Sequence, residues 1–264
     1  RLVVGAFNDR YDGHIAQGGR DIFLLDRNTQ AADIWSGPGV EQFVPVKNAR
    51  GQFPWLIIRY FGRIESRTGQ KLQSSFGNAY ALSNLSPSSP FAFHLELPQG
   101  RVLCAQQVED SLFILIKNSG AVLVNDSLAA ESSIEELRLL RFVQDGSVQT
   151  HHLVNSSGDY TINDLEVTRT SIFMAGQFLG PAVIDNESIR PATSYFDGLF
   201  LQWDREEENL FPAVQASGVF DVRFTHIVAN PRDTFILGEY FGDVSFGGHT
   251  LQDSRLNVNL FLYS

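Results

Sequence analysis

The sequence predicts an all-β fold, and within that class a β-propeller of about five four-stranded blades with irregular or incomplete closure. One strand–loop–strand pattern recurs five times, its copies follow one another at steps of 53, 58, 60 and 62 residues, and many segments alternate apolar and polar residues. Short strands at a near-fixed period indicate small sheets that bury their faces only against one another. A β-sandwich is the alternative, because it also uses many short strands, but it does not explain the period.

Each copy of the pattern holds two strands, which we call strand b and strand c. Strand b is almost continuously apolar, so we expect it to be buried on both faces in the middle of a sheet. The steps are counted between equivalent positions of strand b, at Gly5, Ile58, Ile116, Gly176 and Gly238. The b and c segments are Leu2–Phe7 with Asp21–Asp26, Leu56–Gly62 with Asn78–Asn84, Phe113–Gly120 with Glu136–Arg141, Phe173–Gly180 with Gly198–Asp204, and both strands within Ile236–Ser264.

Two further strands complete a unit: strand d follows strand c, and strand a precedes the next strand b. Several of these segments alternate apolar and polar residues, which is typical of a half-buried strand, and turn-forming residues separate them. The one stretch with helical character is Ser127–Phe142; its second half is interpreted as strand c, and its first half as a loop or a short helical turn. The d segments are Ala32–Ser36, Phe91–Leu97, Val148–Val154 and Leu210–Ala216, and the a segments are Gln42–Lys47, Arg101–Val108, Tyr160–Thr168 and Asp221–Ala229.

The strand count predicts one propeller domain over residues 1–264 with an incomplete first and last unit. The approximate unit bounds are 1–51, 52–110, 111–169, 170–232 and 233–264. The first unit lacks strand a and the last lacks strand d. A longer chain, a partner that supplies a strand by edge addition, or a misplaced boundary would each explain this imbalance.

Composition excludes some classes of function. The chain has 264 residues with 20 basic and 30 acidic side chains, a net charge of −10, and an acidic surface repels phosphate backbones, so we expect no nucleic-acid partner. Its single cysteine, Cys104, allows no internal disulfide and is interpreted as a small buried hydrophobe. No apolar run approaches the roughly 18 residues of a transmembrane helix, so no transmembrane segment is predicted.

Three copies of the pattern share a longer motif. Its fullest version is in the fifth copy, with a Gly-x-aromatic-x-Gly segment, a Phe-Gly-Gly turn and an Asn-x-Phe-Leu ending. The matching residues are Gly238, Tyr240, Gly242, Phe246, Gly247, Gly248, Leu251, Ser254, Asn259, Phe261 and Leu262 in the fifth copy, Gly5, Phe7, Asp21, Phe23, Leu24, Asp26 and Trp35 in the first, and Gly176, Phe178, Gly180, Phe200 and Leu201 in the fourth.

This motif resembles the repeats of bacterial extracellular β-propeller proteins, of the type labelled seven-bladed β-propeller repeats. The resemblance touches all five units and implies an exported, non-enzymatic repeat protein of the periplasm, the outer-membrane surface or the extracellular space. In this interpretation the strand-b glycines allow a neighbouring strand or blade to approach closely. The aromatic side chains two residues further on are expected to fill space between blades, at Phe7, Tyr60, Phe178 and Tyr240.

No catalytic, metal-binding or cofactor-binding signature stands out. The six histidines include no helical zinc pair, and His151 and His152 point to opposite faces of a strand. The turn with Asn8, Asp9 and Asp12 is a calcium candidate by its oxygen-bearing side chains, although it lacks EF-hand spacing. Nucleophile-elbow and phosphate-loop motifs are absent, so we expect a non-enzyme without cofactor.

Three functional hypotheses follow. The first is a protein-interaction or scaffold subunit of a cell-envelope or cell-surface assembly, in which a partner would complete an open blade near the termini. The second is a carbohydrate-binding, lectin-like propeller, and the third is a glycoside hydrolase with carboxylates gathered at the channel mouth. The b–c loops supply the candidate ligand or partner contacts, which are Tyr11, Asp12, His14, Arg63, Arg67, Tyr195 and His249.

Overall fold

The computed structural model is all-β: its described residues form 28 strands and no helix. The structure describes the whole chain except residues 1, 8–9, 12–13, 16–20, 27–31, 38–41, 48–54, 67–68, 70, 75, 77, 84–92, 144, 186, 212, 231–232, 247, 253–257 and 264, and it describes no side chains for residues 2–20, 24–26, 32–33, 35, 66 and 263. The predicted all-β class is therefore confirmed. The sheets of the described chain are large and none closes on itself, which fits a propeller and a sandwich alike. No helix in these residues is long and apolar enough to cross a membrane.

When each unit is counted as a sheet from strand a to strand d, its strand a lies just before the repeat bounds given above, and the first two units contain twelve strands. The first unit has β1 (Leu2–Phe7), β2 (Arg10–Tyr11), β3 (His14–Ile15), β4 (Asp21–Asp26) and β5 (Ala32–Ser36). The second has β6 (Gln42–Val44), β7 (Val46–Lys47), β8 (Leu56–Tyr60), β9 (Arg63–Ser66), β10 (Lys71–Gln73), β11 (Ala79–Ser83) and β12 (Phe93–Glu96). Strand a of this unit is interrupted at Pro45, which has no N–H to donate.

The remaining units contain sixteen strands. The third has β13 (Gly100–Val108), β14 (Ser111–Asn118), β15 (Ala121–Val124), β16 (Ser127–Glu131), β17 (Glu136–Val143) and the first part of β18 (Val148–Val167). The fourth has the rest of β18, β19 (Ser171–Ile184), β20 (Glu187–Ile189), β21 (Asp197–Asp204), β22 (Asn209–Leu210) and β23 (Val214–Gly218). The fifth has β24 (Val222–Ala229), β25 (Thr234–Tyr240), β26 (Val244–Phe246), β27 (His249–Leu251) and β28 (Asn259–Tyr263).

Within each predicted unit the strands pair antiparallel in the order a–b–c–d. In the second unit β6 pairs with β8, β8 with β11 and β11 with β12. The third and fourth units repeat this order as β13–β14–β17–β18 and β18–β19–β21–β23. The first unit shows only b–c–d and the fifth only a–b–c among the described strands, as the strand count predicts.

The connection between strands b and c forms a hairpin in every unit, a feature that the sequence does not predict. The hairpins are β2–β3, β9–β10, β15–β16, the end of β19 with β20, and β26–β27. The interpretation of Ser127–Glu131 as a loop or helical turn is therefore wrong, because this segment is strand β16. From the second unit onward each hairpin also pairs with strand d of the preceding unit, for example Trp35 with Ser66 and Ser217 with Ser245.

Strand a carries a β-bulge in the third, fourth and fifth units. The register shifts between Val102 and Cys104, between Ile162 and Asp164, and between Phe224 and His226. In the fourth and fifth units this bulge lies beside a strand-b glycine. A Cβ on Gly176 would clash with the carbonyl oxygen of Thr161, and one on Gly238 would clash with the ring of Phe261. These contacts agree with the close approach predicted for both glycines; no side-chain contacts are described at Gly5.

Four apolar clusters lie between successive units and together form the core. Each cluster lies between one face of a unit's sheet and the facing side of the next unit's sheet, as expected for twisted sheets that cannot bury both faces alone. The rings of Tyr60, Phe178 and Tyr240 are buried, as predicted, whereas the side chain of Phe7 lies outside the described residues. Members on the two sides of each interface include Ile22 with Ile58, Phe93 with Phe142, Leu137 with Leu199, and Phe173 with Phe224.

A cluster of polar side chains ties the a strands of four units together. Lys47 on β7 forms ion pairs with Asp164 (2.8 Å) and Glu166 (3.0 Å) on β18, and it donates a hydrogen bond to the carbonyl of Ile227 on β24. Gln106 on β13 donates to Glu166 at 2.9 Å and accepts from the backbone N–H of Val167. One lysine therefore contacts strands from units that are far apart in sequence.

Candidate partner-binding surface

The fifth unit presents a sheet face that the described chain does not cover. Its strands β24, β25 and β28 pair in the registers Val228 with Phe235, Leu237 with Leu262, and Glu239 with Leu260. Directly opposite residues point to the same side of a sheet, and alternate residues along a strand share that side. One side therefore carries Arg223, Val228, Phe235, Leu237, Glu239, Leu260 and Leu262, which we call the fifth-unit outer face.

In the fourth unit, the equivalent sheet face is covered by other side chains. Gly176 pairs with Leu199 in the fourth unit as Gly238 pairs with Phe261 in the fifth, so Phe200 is the equivalent of Leu262. Phe200 stacks on Phe173, with ring centroids 6.2 Å apart, and packs against the core cluster that the fifth unit completes. The same sheet position is thus covered in the fourth unit by the unit that follows.

In the fifth unit the equivalent residues are open to solvent. Leu260 and Leu262 are 67% and 68% exposed, and Val228 is 57% exposed. Isolated exposed leucines are common on protein surfaces, but contiguous apolar side chains on one sheet face mark interaction sites. The exposure of this face therefore distinguishes it from the outer faces of the preceding units.

One edge of the same sheet is paired with no other strand in the described part of the chain. Strand c of the second, third and fourth units pairs with a strand d, whereas β28 pairs only with β25 in the described part of the chain. An unpaired strand edge offers a row of backbone donors and acceptors to an added strand. The apolar face and the open edge belong to the same strand, so one partner could contact both.

Charged groups lie beside the apolar side chains of this face, on the side of β24. Arg223 forms an ion pair with Asp221 at 2.9 Å and lies 5.0 Å above the ring of Phe196. A cavity of about 340 Å³ adjoins it, lined by Asp221, Arg223, Glu239, Phe241 and Val258. The surface thus combines apolar side chains with an acidic and basic rim, as protein interfaces do.

Tyr195, a predicted contact, lines a second cavity beside this surface. Its ring meets the ring of Phe220 edge to face, with centroids 5.2 Å apart, and Asp221 and Phe241 complete a cavity of about 270 Å³. The cavity gathers residues of two b–c connections and of the turn between a strand d and the next strand a. Asp221 lines both cavities, so they are continuous with the same part of the fifth unit.

The other predicted contacts lie on separate hairpins. Tyr11 and His14 are directly paired in the hairpin β2–β3, but their side chains are outside the described set. Arg63 begins β9 and forms an ion pair with Glu65 at 2.8 Å, and His249 begins β27 in an exposed position. The structure shows no contact among the described members of this group. Asp12 and Arg67 lie outside the described residues, as do the calcium candidates Asn8, Asp9 and Asp12.

Sequence reasoning missed a polar cavity between the second and third units. It measures about 640 Å³ and is lined among others by Arg59, Arg101, Lys117 and Glu135. Lys117 pairs with Glu135 at 3.0 Å and lies 4.0 Å above the ring of Tyr160. These residues are far apart in the sequence and come together only in the fold, so their spacing along the chain follows no motif.

No protein-family model matches this chain, and a search of curated proteins finds no match to it.

Proposed function

We propose that this chain is a non-catalytic β-propeller whose fifth unit binds a protein partner, as a scaffold subunit of an exported cell-envelope or cell-surface assembly. The observation that carries the proposal is the uncovered fifth-unit outer face together with the open edge of β28. The exported location rests on the resemblance of the b–c pattern to bacterial extracellular propeller repeats.

The a-strand cluster supports the propeller arrangement. In a propeller the first strand of every blade lies beside the central axis, so the a strands of all blades converge there. Lys47 of the second unit contacts Asp164 of the fourth and Ile227 of the fifth. Contacts of this kind are expected around a common axis.

The chemistry of the surface indicates what kind of partner fits. Backbone groups along β28 favour an added β-strand, and Leu260 and Leu262 favour an apolar sheet face packed over it. Arg223 and Glu239 offer one charge of each sign, so the partner would need complementary charges at its rim. We therefore expect a partner that contributes a β-strand and the apolar side of a sheet.

The aromatic cavity supports a second candidate function, carbohydrate binding. Tyr195, Phe220 and Phe241 provide apolar ring surface, and Asp221 provides a carboxylate beside it, although this carboxylate already bonds Arg223 and the N–H of Phe196. Small-ligand sites commonly combine apolar walls with few polar groups. Under this alternative, Tyr195→Ala would abolish binding in a glycan screen while Leu262→Lys would leave it intact.

Site-specific photo-crosslinking in the native source tests the leading proposal. A photo-reactive amino acid replaces Leu262 in one variant and Leu128, a comparably exposed residue of β16, in a control variant. We expect one protein, identified by mass spectrometry, to crosslink through position 262 and not through 128, and Leu260→Lys to prevent it. Equal crosslinking at both positions, or none at 262, would contradict the proposal, and a crosslink to a second copy of this chain would replace the partner by self-association.

A further inference from the structure

Three metal-ligating side chains meet where the second unit contacts the hairpin of the third. His94 and Glu96 lie two residues apart on β12 and so share one face of the sheet. The Nε2 of His94 is 3.9 Å from a carboxylate oxygen of Glu96, and its Nδ1 is 3.8 Å from a carboxylate oxygen of Asp126. One donor atom from each residue lies within 4.8 Å of the others.

The hairpin turn that carries Asp126 is fixed against β12. Asn125 and Asp126 have φ values of 50° and 63°, the left-handed pair that a two-residue hairpin turn requires. The side-chain oxygen of Asn125 accepts from the backbone N–H of His94 at 2.8 Å, and the N–H of Asn125 donates to the carbonyl of His94 at 2.8 Å. These bonds hold the Asp126 backbone beside the imidazole, while its carboxylate remains exposed and free to turn.

Other units have a buried acid at this level of the sheet, and there it is hydrogen-bonded. In the third unit, Glu136 on strand c binds Arg138 at 2.7 Å and His152 at 2.9 Å. In the fourth unit, Asp197 on strand c accepts from Ser217 at 3.1 Å, and it also accepts from a loop N–H and a glutamine amide. The acid and its donors therefore compensate each other within one unit.

The second unit departs from this arrangement. Strand c carries Ala79, and the acid is Glu96, directly opposite on strand d. Glu96 is only 6% exposed, and its carboxylate makes no hydrogen bond within the described chain; the imidazole of His94 lies 3.9 Å away and is charged only when protonated. Burial of a carboxylate without a partner costs free energy, so a positive charge beside Glu96 would stabilise the fold.

We propose that His94, Glu96 and Asp126 bind a divalent transition-metal ion, for which zinc is the best match. An imidazole nitrogen with two carboxylates suits zinc, whereas calcium and magnesium prefer oxygen donors alone. Tetrahedral zinc with ligands at 2.0–2.1 Å separates them by about 3.3 Å, so donor atoms that now lie within 4.8 Å of one another would close by up to about 1.5 Å. Asp126 can supply this movement because its side chain is 86% exposed.

Neighbouring groups complete the site. The hydroxyl of Tyr60 lies 2.6 Å from the Nε2 of His94, so the ion would bind Nδ1 and Tyr60 would orient the imidazole through its other nitrogen. Three protein ligands leave a fourth position open to water or to a ligand. Because Glu96 belongs to the second unit and Asp126 to the third, the bound ion would fasten the hairpin β15–β16 to strand d of the preceding unit.

Zinc titration of the untagged, metal-stripped protein by calorimetry, with metal content measured by mass spectrometry, tests this proposal. We expect one zinc ion per chain, and Glu96→Gln and His94→Ala to weaken binding by more than about 100-fold, beyond the loss caused by changes outside a ligand set. His249→Ala, which changes an exposed histidine of β27, should bind as the wild type does. Saturable binding that Glu96→Gln retains, or that His249→Ala weakens equally, would overturn the proposal, as would the absence of binding.

Thermal unfolding separates metal binding from a purely structural role of Glu96. Glu96→Gln keeps the shape of the side chain and removes the uncompensated charge, so the metal-free variant should be at least as stable as the metal-free wild type. Zinc should raise the Tm of the wild type and leave the Tm of Glu96→Gln unchanged. A metal-free variant that is clearly less stable, with no effect of zinc on either protein, would show that Glu96 acts only in the fold.

Discussion

At the residue scale, the glycines of strand b show which contacts can be predicted from local sequence. Gly176 and Gly238 could be assigned to close strand contacts because they recur at one position of a repeated pattern, and the structure places a carbonyl or a ring where their side chain would be. His94 and Glu96 could not be found in this way. Their significance depends on Asp126, which approaches them only through the pairing of β12 with β15.

Replacement of Gly176 by alanine tests the close approach. The new Cβ would clash with the backbone of Thr161, which cannot rotate away, so we expect a loss of about 2–3 kcal/mol in the free energy of unfolding. Gly180→Ala, on the same strand, is the matched control, because its nearest atom would lie 3.9 Å away. Chemical denaturation measures both, and equal effects of the two substitutions would contradict the assignment.

The thiol of Cys104 predicts a loss of stability at alkaline pH. Burial raises the pKa of this thiol far above its usual range, and nearby Asp164 adds to the effect, while Lys47 opposes it. The thiol of the unfolded chain ionises near pH 8.5, whereas the thiol of the folded chain stays protonated. Its contribution to the free energy of unfolding is therefore fully present below that pH and is lost as the pH rises. It amounts to at most about 1.4 kcal/mol per pH unit.

Denaturation of the wild type and of Cys104→Ala between pH 7 and pH 11 checks this expectation. The variant should show a shallower decline in the free energy of unfolding above about pH 8.5. Burial also raises the pKa of Tyr160, so some alkaline decline should remain in both proteins. Parallel curves over the whole range would show that Cys104 does not contribute.

At the element scale, the long strands were predictable and the hairpins were not. Strands b and c have enough residues to show their pattern, and the structure places them close to the predicted bounds. The hairpin strands β9, β10, β26 and β27 have only three or four residues, too few for a period to appear. Ser127–Glu131 has helix-forming residues, but pairing of β16 with β15 decides its structure, because tertiary contacts override a weak local preference.

The a-strand cluster gives a prediction at this scale. Lys47→Met leaves Asp164 and Glu166 close together in a largely buried position without their cation, so we expect the free energy of unfolding to fall by about 3 kcal/mol. Lys71→Met is the control: Lys71 is 58% exposed and 3.5 Å from Glu65, and exposed pairs contribute less than about 1 kcal/mol. If the two variants lose the same stability, Lys47 does not link the a strands.

At the scale of the whole molecule, the sequence predicts that the first and the last unit are incomplete, and the structure indicates what this leaves open in the fifth. Counting strands predicts a missing strand d in the fifth unit, and in the described chain β28 is indeed paired on one side only. The apolar face beside it could not be predicted, because inward and outward residues of a strand alternate in the same way whether or not a further sheet covers them. Only the comparison of Leu262 with Phe200 separates the two situations.

Thiol labelling measures the accessibility of the fifth-unit outer face most directly. Leu262→Cys and Phe200→Cys place a thiol at equivalent positions of the fifth and fourth units. Burial raises the pKa of the native Cys104, which disfavours the reactive thiolate at that position. We expect Cys introduced at 262 to react with a maleimide at the rate of the unfolded chain, and Cys introduced at 200 at least about 10-fold more slowly, because only the latter position is covered. Equal protection at both positions would mean that another part of the chain covers the fifth unit, and it would contradict the account of a surface open to a partner.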